Sequence, residues 1–142
     1  MLDLQTISDR IEIQDLMTRY ASIIDRNLWD DYFSLFTDDA CVDYTGTGGL
    51  AGSVPEMLEF LKGAFATLSA SQHMLTNFEV DLNGDSASVR CILHNPMVWD
   101  AEGNQSRHIY GVWYVLELVR MEDQWRIARL AQELAYHTGP LP

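Results

Sequence analysis

A chain of 142 residues is long enough to bury a hydrophobic core without disulfide or metal support, and 47% apolar against 21% charged residues excludes a disordered chain. The formal net charge of −12, with only nine Lys and Arg and no cluster among them, excludes nucleic acid and an anionic membrane surface as partners. The opening MLDLQTISDR has neither the basic segment nor the apolar run of a secretory signal, and no stretch reaches the roughly 18 apolar residues of a membrane span. A soluble, cytoplasmic protein is therefore expected. No linker, repeat or low-complexity segment interrupts the sequence, so residues 1–142 read as one domain.

The first helix is expected to begin between Asp3 and Asp9, where Asp9 and Glu12 have the spacing of a capping pair, and to run to about Ile24. Ile13, Leu16, Met17, Tyr20, Ile23 and Ile24 recur at helical spacing and form its core-facing stripe. Asp25 closes the run. An acid at a helix C-terminus opposes the macrodipole, so Asp25 either opens the turn Asp25-Arg26-Asn27 or turns inward to orient a base. Leu28, Trp29, Tyr32, Phe33 and Phe36 read as a short second helix. Residues 40–44 come next as a short strand, and Gly46, Gly48, Gly49 and Gly52 as a loop. Ser53-Val54-Pro55-Glu56 carries an N-cap, a first-turn proline and a capping glutamate, so a further helix starts there with Val54, Leu58, Leu61, Phe65 and Leu68 as its stripe.

Beyond Ser71 the period changes from helical to two. Met74, Thr76, Phe78, Val80 and Leu82 read as one face of a strand, and Asn83-Gly84 as a tight hairpin turn. Strands near 86–99, 105–120 and 124–136 complete the chain, joined by connections too short for parallel crossovers, so they must pair antiparallel. Helices first and a meander after is an α+β pattern, with a pocket expected between the first helix and the concave face of a curved antiparallel sheet. Cys41 and Cys91 lack a CxxC partner and read as buried free thiols.

Alternation sets His73 opposite in sense to Met74 and Phe78. Paired with Asp25 it has the makings of a general base, because a carboxylate on one imidazole nitrogen fixes the tautomer and stabilises the imidazolium formed when the other takes a proton. His94, His108 and His137 show no metal-ligand spacing, so no metal and no cofactor are expected. Arg129 sits mid-strand, where an unpaired charge would be costly, and is read as finding a carboxylate or lining the cavity. Trp99, Tyr110, Trp113 and Tyr114 read as core or interface packing before substrate stacking, since aromatics dominate strand packing.

The helix end Tyr20 to Asp25, Trp29, Val42-Asp43-Tyr44, His73 and the closing Trp125-Arg126-Ile127 resemble the SnoaL-like branch of the nuclear transport factor 2-like superfamily, over nearly the whole chain. Among its members the scytalone dehydratase, bile acid 7α-dehydratase and hexachlorocyclohexane dehydrochlorinase groups are the most similar. The resemblance implies a cone-shaped α+β roll of the cystatin-like kind around a central apolar cavity. It implies catalysis by Asp25 and His73, with Tyr44 and Tyr20 as hydrogen-bond donors. Trp29, Arg90, His94, Trp113 and Arg129 are the remaining candidates for the substrate wall. The expected activity is a cofactor-independent dehydratase-type elimination on a small, neutral, apolar carbonyl or cyclic compound. A ketosteroid-type isomerase, a small-molecule-binding protein and an accessory subunit of an oxygenase are the alternatives. Apolar residues on both faces of 107–119 predict a homo-oligomer, and the resemblance favours a trimer over a dimer.

Overall fold

A computed structural model describes residues 1–140. Helix α1 (Leu4–Asp25) starts at Asp3, whose carboxylate accepts a hydrogen bond from the Thr6 amide at 2.7 Å. The expected apolar stripe is buried along its whole length. Asp9, read from sequence as a cap, lies instead inside the helix on that buried stripe and is paired with Arg120 from the far end of the sheet. The helix ends where Asn27 takes a left-handed φ of 55°, a conformation open to Asn because its Cβ penalty is offset by local hydrogen bonding. That stop leaves Asp25 on the last turn.

The second helical segment is a 3-10 helix (Trp29–Leu35), succeeded by strand β1 (Phe36–Asp43), a 3-10 turn (Thr45–Thr47) and the short β2 (Ala51–Ser53). β1 starts earlier than expected, and β2 lies inside the predicted glycine loop. Helix α2 (Val54–Ala64) begins as its sequence dictates: the Glu56 carboxylate accepts from both the backbone N–H and the hydroxyl of Ser53, at 2.8 and 2.7 Å. The sheet continues with β3 (Leu68–Ser71), β4 (Met74–Asn83), β5 (Ser86–Ala101), β6 (Asn104–Met121) and β7 (Gln124–Thr138).

Strand order is β2-β1-β7-β6-β5-β3, with β4 also on β5, and the sheet curls without closing. Consecutive long strands pair antiparallel, as their short turns require. β1, however, pairs parallel with β7. Tight-turn logic binds only neighbours in sequence, and most of the chain runs between these two strands, so the sheet is mixed rather than purely antiparallel. β4 departs from simple alternation too. A bulge between Thr76 and Glu79, with Asn77 at φ 53°, switches faces. Leu75, Phe78, Val80 and Leu82 therefore pack on the core while Met74 and Thr76 are exposed.

One continuous cluster of buried side chains joins α1, α2, β1 and the concave faces of β5, β6 and β7. Inward positions on β5 are Ala87, Val89, Cys91, Leu93, Asn95 and Met97, and on β6 Val112, Tyr114, Leu116 and Leu118. Each wholly buried Leu or Ile contributes on the order of 1.5–3 kcal/mol, so the stripe of α1 fixes how that helix lies over the sheet. Cys41 lies on the exposed side of β1, against the sequence reading, while Cys91 is buried as expected. No helix among the described residues is long and apolar enough to cross a membrane.

Candidate active site

Between α1, α2, the loop after β1 and the concave sheet lies a cavity of about 180 Å³. Its walls are mainly apolar, with Ile24, Leu61, Phe65, Leu93, Met97 and Val112 among them. Gly49 lets the loop pass close behind this wall, since a Cβ there would sit 2.9 Å from the Tyr44 Cβ and 3.3 Å from the Phe60 ring. Polar groups enter at two places: His73 with Asn95, and a group of phenols with Gln132 and Thr47.

At the first, the end of α1 meets the start of β4. The Asp25 carboxylate contacts the His73 ring at Nδ1, 2.6 Å from Oδ1. It also accepts from the His73 backbone N–H at 2.8 Å and from the Ser71 hydroxyl at 3.0 Å. A carboxylate only accepts, so the proton lies on Nδ1 and the lone pair on Nε2, the one basic position of a ring that lines the cavity. Burial alone would raise the Asp25 carboxyl, but the hydrogen bonds from the His73 ring, its charge, its N–H and Ser71 outweigh it and hold the group below the ordinary carboxylate range. Asp25 thus stays ionised behind the ring.

At the second, Tyr20 from α1 and Tyr44 from the end of β1 are hydrogen bonded hydroxyl to hydroxyl. Tyr114 from β6 stands edge-on to the Tyr20 ring with centroids 5.8 Å apart, and its hydroxyl accepts from Gln132 Nε2 at 3.4 Å. Thr47 donates to Gln132 Oε1 at 2.5 Å, which ties the loop to β7. Burial pushes the Tyr20, Tyr44 and Tyr114 phenols up, and Tyr32 behind them up to about 12. All four remain protonated at neutral pH and act only as neutral hydrogen-bond groups. Cys91, pushed up to about 12 by burial, is no thiolate.

Of the residues singled out from sequence, Tyr20, Tyr44 and His73 line the cavity and Asp25 stands directly behind His73. The proposed substrate wall is corrected. Trp29 packs one layer back, against Phe65, with ring centroids 6.4 Å apart. Arg90 lies over the Trp113 ring at 4.5 Å and pairs with Glu133 at 3.0 Å, while His94 meets the Tyr136 hydroxyl at 2.9 Å. These residues and the exposed Arg129 belong to the outer face of the sheet. The reason is strand phase: Cys91, Leu93 and Asn95 are the inward set of β5, so Arg90 and His94 fall one position off, as Trp113 does beside Val112 and Tyr114. Asn95, Trp99, Tyr110, Tyr114 and Gln132 line the cavity instead. Among the described residues no three His, Cys, Asp or Glu side chains converge as metal ligands.

A small, mainly apolar cavity between helices and a curled sheet, lined by an imidazole backed by a carboxylate and by a group of phenols, is the feature the comparisons with known proteins must account for. The model of the SnoaL-like domain matches residues 5–131. An uncharacterised protein of Mycobacterium tuberculosis is 43% identical over 129 residues, 91% of this chain and 87% of that one. Among solved structures, a candidate aromatic ring hydroxylase from Novosphingobium aromaticivorans superposes with a TM-score of 0.86 at 32% identity, covering 95% of each chain. A candidate scytalone dehydratase from the same organism gives 0.84 at 20% identity, covering 96% of this chain and 90% of that one. A type 2 hexachlorocyclohexane dehydrochlorinase gives 0.83 at 22% identity, covering 99% and 94%. The chain belongs to the SnoaL-like family, within the nuclear transport factor 2-like superfamily.

Proposed function

We propose that the protein is a cofactor-independent lyase that removes water from a small, neutral cyclic carbonyl compound. The observation that carries this reading is the His73 ring, committed through Nδ1 to the half-buried Asp25 and lining an apolar cavity that buried phenols also line. In the proposed reaction His73 Nε2 takes a proton from the carbon next to the carbonyl. The electron pair moves onto the carbonyl oxygen, where the one phenol proton that the Tyr20–Tyr44 hydrogen bond leaves free stabilises the enolate, the second phenol supporting the donor through that bond. The enolate then reforms the carbonyl and expels the hydroxyl of the β carbon, which leaves as water with the proton that His73 took. Dehydratase and dehydrochlorinase structures of the same fold support an elimination.

Cavity size narrows the substrate. About 180 Å³ is near the roughly 150 Å³ that encloses one benzene ring, and below the roughly 300–1,000 Å³ of pockets for drug-sized ligands. That supports a substrate whose reacting part is a single ring. The second reading, a binding or accessory role in ring hydroxylation, draws on the 32% identity to the candidate hydroxylase. Incubation with 3-hydroxycyclohexanone separates the two. Elimination yields the conjugated enone, monitored by its ultraviolet absorbance, at a rate well above the uncatalysed one; a binding protein leaves that rate unchanged.

The outer face of the sheet supports a homo-oligomer. Ile92, Trp113 and Val115 are only half-buried there, and Met74 and Tyr136 are 41% and 49% exposed. Light scattering at micromolar concentration is expected to give about three times the 16.2 kDa chain mass. A 16.2 kDa species alone would contradict it.

A further inference from the structure

Asn95 is the one fully buried amide of the cavity wall, 4% exposed. Its orientation is fixed by its partners. The amide contacts the Gln72 backbone carbonyl at 3.0 Å, and a carbonyl only accepts, so the nitrogen end must face it. The same nitrogen reaches the Ser71 hydroxyl at 3.3 Å, and that hydroxyl is free to accept because its own hydrogen goes to Asp25. The 3.5 Å approach to His73 Nδ1 is a contact between two donors and not a hydrogen bond. The oxygen end is thereby turned away, and no donor among the described residues reaches it. It is not sealed in packed protein either: the enclosed side-chain polar atoms without partners among the described residues are Arg10 Nε and Tyr32 OH. Asn95 Oδ1 is an open acceptor on the cavity.

We propose that Asn95 forms a hydroxyl-binding subsite, its Oδ1 accepting a hydrogen bond from a hydroxyl of the ligand beside His73. The chemistry of the two polar groups on the cavity wall requires this polarity. Oδ1 and the neutral His73 Nε2 are both acceptors, so a carbonyl oxygen is repelled there and an anion is worse placed still. A hydroxyl is attracted, and the carbonyl goes to the phenols, which donate. The ligand class is therefore a ring that turns a hydroxyl towards Asn95 and His73 and a carbonyl towards the phenols. The subsite rests on the elimination reading only for the step after binding: the hydroxyl held by Asn95 is the one that takes the proton back from His73 and departs as water.

The subsite is tested by affinity, using 3-hydroxycyclohexanone and cyclohexanone as probes in ligand-observed NMR titrations recorded before enone accumulates. One hydrogen bond predicts that the wild type binds the hydroxy ketone about two- to tenfold more tightly. Asn95→Leu removes the acceptor and levels the two affinities; Asn95→Ala carries the same reading if the leucine variant does not fold. Ser71→Ala loosens the same network but leaves Oδ1 in place, so the preference persists there. Equal affinities in the wild type, or a preference that survives in Asn95→Leu or Asn95→Ala, would overturn the subsite. A preference that behaves as expected without any enone formed upholds the subsite and sinks the elimination alone.

Discussion

Replacing His73 by alanine is expected to lower turnover by about two to four orders of magnitude, the usual worth of a positioned general base, with little change in ligand affinity. Asp25→Asn is expected to come close to that loss. An amide in place of the carboxylate accepts from His73 Nδ1 less strongly, can favour the wrong tautomer by donating to it, and gives nothing to the imidazolium. Because Asp25 acts through the ring it holds at 2.6 Å, the two losses do not add. The double variant should be hardly slower than His73→Ala alone. Steady-state kinetics of the two single variants and the double variant, on a turned-over β-hydroxy ketone, check this; simple additivity would break the pairing.

The second large effect lies far from the cavity. Asp9, buried on the core side of α1, accepts from Arg120 Nη2 at 2.6 Å, Gln5 Nε2 at 3.0 Å and the Trp125 indole at 3.4 Å. Arg120 also lies 4.5 Å over the Trp125 ring and binds Asp85 at 3.1 Å, so one carboxylate ties α1 to the β6–β7 hairpin. Removing the carboxylate leaves Arg120 to Asp85 and the Trp125 N–H without its acceptor, a loss of about 1.5–3 kcal/mol, the worth of hydrogen bonds to a charged group. Asp9→Ala should thus lower the melting temperature by roughly 5–10 °C. Burial works to raise the Asp9 carboxyl, yet the hydrogen bonds from Arg120, Gln5 and Trp125 and the guanidinium charge prevail and hold it below its ordinary 3.8. Its contribution is therefore present above about pH 4 and is lost as the pH falls through the lower folded value. The variant should show a flatter decline in acid by thermal denaturation, the residual slope belonging to the other carboxylates shifted in the same direction, Asp25, Asp3, Asp43 and Glu56.

That pair shows where sequence reasoning stopped. Asp9 three residues before Glu12 has the spacing of a cap, and nothing local reveals that its partner is Arg120, 111 residues away. What was legible had a local physical cause. The α1 stripe, the Ser53–Glu56 start of α2 and the β5–β6–β7 meander come from periodicity and turn chemistry, and the first and last of these bring Tyr20 and Tyr114 together. The resemblance pointed to Asp25 and His73, whose hydrogen bond spans 48 residues. The cavity wall was less legible, because it depends on strand phase. Arg90, His94, Trp113 and Arg129 have chemistry suited to a substrate wall, but neither residue type nor resemblance says which face of its strand a side chain takes. Fixing the phase of β5 by its apolar set Val89, Cys91 and Leu93 would have brought Asn95 inward and sent Arg90 and His94 out. The bulge at Asn77 left no comparable trace, since an Asn inside an alternating strand has no single meaning.

Exchange of the α-hydrogens of cyclohexanone in heavy water, monitored by proton NMR, tests the central proposal most directly, since it reads removal of a proton from carbon without needing a leaving group. The wild type should replace those hydrogens with deuterium much faster than buffer alone, and His73→Gln should bring the rate down by about two orders of magnitude or more. Exchange no faster than buffer with cyclohexanone bound, or a His73→Gln variant that exchanges as fast as the wild type, would contradict His73 as the base.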